Sequence, residues 1–137
     1  MAVRETAAMI AAMEPALQPG EYVFATFADP QAASAFAAFA SGSFREAEGV
    51  SLILPTDRAQ GLACSPPMRC ITLTVHSALD GVGLTAAVSG ALARHDIAAN
   101  MVAAYHHDHV FVPTADAEAA LAVLQALQRD GRSGGEL

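Results

Sequence analysis

The chain has 137 residues, of which 53% are hydrophobic and 15% are charged. That length allows one compact domain, or two half-size units that need each other for a sufficient core. The formal net charge is −7 with only 7 lysines and arginines, which disfavours a nucleic-acid partner and an anionic membrane surface. The sequence has no apolar run of about 20 residues that would predict a transmembrane helix.

The cysteine count bears on the compartment. Cys64 and Cys70 are the two cysteines of the chain. They are too few for a disulfide framework and lack Cys-x-x-Cys spacing, so reduced thiols in a cytoplasmic protein are expected. A single bridge between them is the alternative.

The first half of the chain predicts a leading helix followed by short strands. Thr6 can cap this helix and Pro15 limits its length. Its buried face is expected to comprise Met9, Ile10, Met13 and Leu17. The elements that follow are a strand over 22–27, an alanine-rich helical stretch over 31–40, a strand around Phe44, a Glu48-Gly49 turn, a strand over 50–54 and a short helix over 56–62.

The second half repeats this order with stronger patterns. Ile71, Leu73 and Val75 alternate with polar residues, which predicts a strand with one face in a core. The predicted elements are a strand over 69–76, a helix over 81–95, a strand over 97–105, a strand over 109–112 and a helix over 116–128, with a flexible tail over 131–137.

These elements predict an α+β fold of two ferredoxin-like βαββαβ units with antiparallel sheets, packed side by side. Ser65-Pro66-Pro67 is the expected boundary because it cannot continue a helix. The N-terminal unit is then 1–65, with the leading helix, and the C-terminal unit is 66–130. Each half lacks one strand, so the units are expected to exchange strands or to join their sheets edge to edge.

The start of the helix over 81–95 is the best candidate for a ligand site. Asp80 is expected to be its N-cap, with Leu79 and Leu84 packed together as a hydrophobic staple. Gly81 and Gly83 are costly in a helix and indicate an unusual backbone angle or a close neighbour. Free N–H groups and the positive end of the helix dipole there suit a carboxylate or a phosphate.

Two motifs in the second half of the chain resemble those of a known domain family. Asp80-Gly81-Val82-Gly83-Leu84 is similar to the Asp-Arg-Pro-Gly-Leu start of the first ACT helix, with Gly81-Val82 in place of Arg-Pro. Ile97-Ala98-Ala99-Asn100-Met101 is similar to the second ACT strand. Over roughly residues 18 to 129 the chain resembles small stand-alone bacterial proteins with two ACT-like units, which are related to the ACT domains of aspartate kinase regulatory regions.

This resemblance implies a regulatory, non-catalytic module without a cofactor that binds a small molecule, an amino acid in particular. The ligand carboxylate would lie on the N–H groups of Gly81, Val82 and Gly83, beside Asp80 and Leu84. The amino group would be bound by Asn100 and Met101 on the neighbouring strand. A pure oligomerisation module without a ligand is an alternative.

The segment from Gly81 to Ala86 also matches the G-x-G-x-x-G/A dinucleotide fingerprint. The context argues against that interpretation, because the first glycine should follow its strand at once and the chain is too short for two mononucleotide-binding halves. Close packing of the helix and strand, without any ligand, is a further alternative for the two glycines.

A histidine-rich hairpin is the second candidate site. If His107 and Asp108 form a two-residue turn, His106 and His109 lie opposite each other on one face. These histidines and Asp108 would then suit Zn²⁺ or Ni²⁺ in a metal-binding protein or a metal-dependent enzyme. A plain polar turn is the favoured interpretation, because three or four ligands are usual in metal sites.

A homodimer is the expected assembly. Both faces of this hairpin carry apolar side chains, which is more than one layer of helices can cover. The residues concerned are Met101, Ala103, Tyr105, Val110 and Val112 on one face, and Val102, Ala104 and Phe111 on the other.

Overall fold

The computed structural model describes residues 5–134. The chain divides into a split unit, formed by Met1–Pro19 with Arg69–Leu137, and a continuous unit, Gly20–Met68. Within the described residues the strands are β1 Pro15–Leu17, β2 Tyr22–Phe27, β3 Gly42–Glu46, β4 Gly49–Pro55, β5 Met68–Leu73, β6 Asn100–Ala103 and β7 Asp108–Pro113. The α-helices there are α1 Thr6–Ala11, α2 Pro30–Ser34, α3 Leu84–Arg94 and α4 Ala117–Gly134.

The split unit combines a sheet with three helices. Its strand order is β1-β5-β7-β6, with β1 antiparallel to β5 and β6 antiparallel to β7. Helices α1 and α3 both contact α4. The core between sheet and helices consists of buried apolar side chains, among them Met9, Met13, Ile71, Leu73, Val88, Leu92, Val110, Val112 and Leu124. The predicted α+β fold is confirmed.

The strand that the second half lacked comes from the N-terminus. Strand β1 pairs with Ile71–Leu73 and lies at the edge of the split unit's sheet. The sequence analysis placed Leu17 on the leading helix, and this prediction is wrong. Helix α1 ends at Ala11, and Glu14 takes a φ of +40°, which turns the chain into Pro15 and the strand. By its contacts, the leading helix therefore groups with the elements that follow Arg69.

The continuous unit has the strand order β3-β4-β2. Strand β2 has the predicted bounds, and the alternation of its side chains places Val23, Ala25 and Phe27 in the core of this unit. Backbone hydrogen bonds from Thr26 N to Ala63 O, 3.0 Å, and from Ser65 N to Phe24 O, 2.9 Å, cover the outer edge of β2.

Two strands are shorter than the sequence predicted, since β5 ends at Leu73 rather than at 76 and β6 covers Asn100–Ala103 rather than 97–105. The N-cap of α1 is Glu5 rather than Thr6, and the predicted helix over 56–62 is a 3-10 turn over Thr56–Arg58.

Other local differences from the sequence analysis concern helix lengths. The alanine-rich stretch forms the short α2 and a 3-10 turn over Ala37–Phe39 rather than one continuous helix. Helix α4 continues past the predicted end at Gln128 and through Gly131. An added Cβ on Gly131 would lie 2.8 Å from Ile10 Cγ2, so this glycine lets α1 pack closely on α4. Of the predicted tail over 131–137, residues 135–137 lie outside the described part.

Every helix within residues 5–134 is too short or too polar to cross a lipid bilayer.

Candidate functional site

Helix α3 begins later than the sequence predicted. Its first residue is Leu84, and the N-cap is Gly83 with a left-handed φ of +106°. Asp80 is therefore not the cap. The N–H of Gly81 instead donates to Ala78 O, 2.9 Å, which closes a turn ahead of the helix. The prediction of an unusual backbone angle is confirmed at Gly83.

The predicted hydrophobic staple does not form. Leu84 is buried, but Leu79 is 67% exposed. The reason is the later helix start, which moves Leu79 away from the position that precedes the cap. The apolar residues Leu84, Val88, Ala91 and Leu92 recur at a spacing that predicts one buried helix face, and all four are buried in α3.

A cavity of about 140 Å³ lies at the start of α3. Its lining comes from the loop over 77–83, the first two residues of α3, and the side chains of Met9, Ala103 and Asp108. All of these belong to the split unit. The cavity therefore lies where the sequence analysis expected a ligand to approach the glycine loop.

The predicted ligand residues are only partly brought together. Gly81, Gly83 and Leu84 line the cavity. Asp80 and Val82 belong to the same loop without lining it, and Val82 is 78% exposed.

The sequence analysis placed the start of strand β6 at the ligand site, but the end of this strand lines the cavity. It reaches the lining at Ala103. Asn100 lies three residues earlier, opposite Phe111, and Met101 packs against the core of the split unit. These two residues are therefore not placed to bind a ligand in this cavity.

The polar groups of the cavity have opposite character. The N–H groups in the first turn of α3 point toward the helix start. The N-cap residue Gly83 has no side chain that could accept a hydrogen bond from them. Asp108 also lines the cavity, and its carboxylate accepts a hydrogen bond from Ser77 Oγ at 3.1 Å. The helix start favours an anionic group, and the carboxylate favours a cationic one.

The hairpin turn differs from the prediction and separates the two candidate metal ligands. Ala104 N donates to His107 O at 3.0 Å, so Tyr105 and His106 form the two-residue turn. His109 lies opposite Val102 in the register of β6 and β7, and His106 lies in the turn itself. The expectation that His106 and His109 face each other is therefore wrong.

The side chains around the turn make other contacts. The ring centroids of His76 and His106 are 5.2 Å apart, and those of Tyr105 and His106 are 5.0 Å apart. Among residues 5–134, no group of three or more His, Cys, Asp or Glu side chains is placed to hold a metal ion. The structure gives His106, Asp108 and His109 no common coordination site.

His109 instead takes part in a polar group on the sheet. Its Nδ1 lies 3.0 Å from the Thr72 hydroxyl, and Thr72 Oγ1 lies 4.0 Å from the Cys70 Sγ. Burial lowers the pKa of His109, and the nearby His107 lowers it further, while Asp108 opposes the change. Burial raises the pKa of the Cys70 thiol, against the effect of its hydrogen bond with Thr72. Both cysteines are free thiols.

The lowered pKa of His109 predicts a loss of stability in mild acid. Because His109 is harder to protonate in the folded protein than in the unfolded chain, its contribution is complete above the ordinary value of 6.5 and is lost as the pH falls below it. Urea midpoints of the wild type should therefore decrease between about pH 7.5 and about pH 5.5. The urea midpoint of His109→Gln should decrease less over this pH range. The midpoint of the turn variant His106→Gln should decrease as much as that of the wild type. An equal loss in His109→Gln and wild type would contradict the assignment.

Several lining residues were not predicted as ligand residues, and Ser77, Asp108 and Met9 among them determine the chemical character of the cavity. Ser77 and Asp108 carry its polar side, although Asp108 had been considered for a metal, and Met9 forms an apolar wall. Ser77 and Asp108 are 31 positions apart, and Met9 comes from the other end of the split unit. Their proximity depends on strand pairing and helix docking, for which the local sequence pattern carries no signal.

Comparison with known families supports the fold assignment. Residues 66–126 and residues 2–69 each match a model described as an ACT domain. A search of curated proteins found no match.

The solved structures that are similar to this chain include a protein of unknown function from Vibrio cholerae, described as a possible transport protein. It has 42% sequence identity and a TM-score of 0.79 over 89% of this chain and 94% of that one. A protein from Agrobacterium tumefaciens has 21% identity and a TM-score of 0.68 over 93% and 91% of the two chains.

The ligand-free regulatory subunit of aspartate kinase from Thermus thermophilus shares the fold. Its identity is 15% and its TM-score 0.66, over 85% of this chain and 97% of that one. The likeness to the Vibrio cholerae protein covers nearly all of both chains, and the two ACT models account for both halves of the sequence. The chain belongs to the ACT domain family and carries two ACT domains in tandem.

Proposed function

We propose that this protein is a non-catalytic regulatory module that binds a free amino acid in the cavity at the start of α3. ACT domains are small-molecule-binding regulatory domains, and this chain contains two of them. The observation that carries the proposal is the pairing of opposite polar groups in one cavity. The helix start suits an α-carboxylate, and the Asp108 carboxylate suits an α-ammonium group.

The size of the cavity favours a small ligand. Its volume is about 140 Å³, several times the roughly 10–15 Å³ that holds one water molecule. An amino acid with a short side chain fits that space. Its side chain would meet Met9 and Ala103, which are apolar.

A thermal-shift screen of the common L-amino acids tests this proposal. At a hundredfold excess over Kd, a one-site ligand stabilises the folded state by about 2.7 kcal/mol, which corresponds to an increase in melting temperature on the order of 10 °C for a chain of this length. Asp108→Asn keeps the shape of the side chain and removes the charge that would bind the ammonium group. It should raise Kd about tenfold or more and reduce the shift.

The matched control is His106→Ala, in the hairpin turn outside the cavity lining. This variant should keep the full shift. The proposal is contradicted if none of the amino acids stabilises the wild type, or if Asp108→Asn binds as tightly as the wild type.

We also propose that the protein forms a homodimer and that it is located in the cytoplasm. The sequence argument for the dimer depended on uncovered apolar faces of the hairpin, but Phe111 is only 4% exposed in the single chain. Large exposed apolar side chains of the described residues still favour a partner, namely Phe39, Phe44, Leu79, Val82 and Tyr105.

A further inference from the structure

Helix α1 is attached directly to the loop that lines the cavity. The Thr6 hydroxyl donates a hydrogen bond to the backbone carbonyl of Val82. A Cβ added to Gly83 would lie 2.7 Å from Thr6 Cγ2, closer than real contacts allow. Gly83 therefore lacks a side chain at the point where Thr6 packs, and α1 holds the loop in its observed conformation.

A second attachment secures the other end of α1. The Gln128 side chain, only 5% exposed, donates from Nε2 to Ala11 O at 2.9 Å and to Glu14 Oε1 at 2.8 Å. Helix α1 has six residues, too few for a stable isolated helix. It therefore remains helical only while it is docked on the other elements of the split unit.

Helix α1 also forms part of the cavity. Met9 is 1% exposed and contributes to the lining. If α1 leaves, the cavity loses this wall, and the loop over 81–83 loses the hydrogen bond from Thr6. A ligand in the cavity consequently has more contacts when α1 is docked than when it is released.

We propose that α1 is a cover of the cavity and that its docking is coupled to amino-acid binding. The inference depends on the proposed function, since it concerns the regulation of the same site. A bound amino acid favours docked α1, and by thermodynamic reciprocity a loosened α1 weakens binding by the same factor. The state of the site is then transmitted as ordering of the N-terminal helix.

The first experiment requires no ligand and uses hydrogen exchange of the full chain. Thr6→Val keeps the β-branched shape and removes the hydroxyl that donates to Val82 O. Loss of one such hydrogen bond should increase exchange about fivefold in α1 and also in the loop over 77–83. Thr26→Val is the matched control, the same substitution at an exposed position of β2 in the continuous unit, and should leave both segments unchanged. Faster exchange in α1 without any change in the loop would overturn the coupling.

The second experiment adds each common L-amino acid at about 10 mM. An amino acid that raises the wild-type melting temperature should slow exchange in α1 at least severalfold, and Thr6→Val should bind it about fivefold more weakly. If no amino acid raises the melting temperature, the proposed function itself fails. If one does, but α1 exchange and the affinity of Thr6→Val are unchanged, the site remains and the cover is disproved.

Discussion

Replacing Gly83 with valine is expected to lower the melting temperature by on the order of 10 °C and to release the leading helix. The φ of Gly83 is +106°, where a β-branched residue is strained by about 1–3 kcal/mol. The new Cβ would also lie 2.7 Å from Thr6 Cγ2, and displacing that side chain costs about 1–3 kcal/mol more. The two costs together are about 2–6 kcal/mol. A loss of that size lowers the melting temperature by on the order of 10 °C for a chain of this length. Thermal melting and hydrogen exchange of α1 measure the two effects.

A double variant separates the two causes. Thr6→Ala removes Cγ2 and Oγ1, which are the two atoms within 3 Å of the added Cβ. In that background, Gly83→Val should recover the steric part of the loss and keep the backbone part. The explanation is wrong if Gly83→Val melts like the wild type, or if Thr6→Ala gives no recovery.

The sequence alone suggests a different result for the same substitution. A branched side chain at Gly83 would there be expected to exclude a ligand carboxylate and leave the fold intact. The two glycines did predict an unusual backbone angle or a close neighbour, and Gly83 has both. The identity of the neighbour was not predictable, because Thr6 lies 76 positions before Val82 in the chain. Gly83→Val is therefore a test of α1 docking, and Asp108→Asn is the cleaner test of the ligand site.

Elements with a strong local pattern were predicted well. Strand β2 has the predicted bounds, and the buried face of α3 consists of the predicted side chains. Strand β1 was missed because three residues are too short for a period of two to be visible. The hairpin turn was misplaced because Asp108 suits a turn by itself, whereas the pairing of Asn100 with Phe111 fixes the register and places the turn at Tyr105 and His106.

The glycine at the start of β4 should tolerate substitution least. A Cβ added to Gly49 would lie 2.0 Å from the backbone oxygen of Phe27, and the φ of Gly49 is +140°. Phe27 pairs with Val50 in the register of β2 and β4, so its carbonyl cannot move without disturbing the pairing of the two strands. Gly49→Ala is therefore expected to destabilise the protein by about 4 kcal/mol or more, a decrease in melting temperature on the order of 15 °C.

Gly20→Ala is the matched control for Gly49→Ala. Gly20 also has a positive φ, +84°, but among the described residues no atom lies within 4 Å of its added Cβ. This variant has only the backbone cost of an alanine in the left-handed region, about 1–2 kcal/mol. Its melting temperature should decrease by on the order of 5 °C. Denaturant midpoints give the difference between the two variants, and exchange of β2 and β4 amides should locate the larger loss in the continuous unit. Because the added Cβ of Gly49→Ala would meet the backbone of Phe27 and Ala28 within 3.0 Å, equal midpoints for Gly49→Ala and Gly20→Ala would show that the start of β4 adjusts to the added carbon.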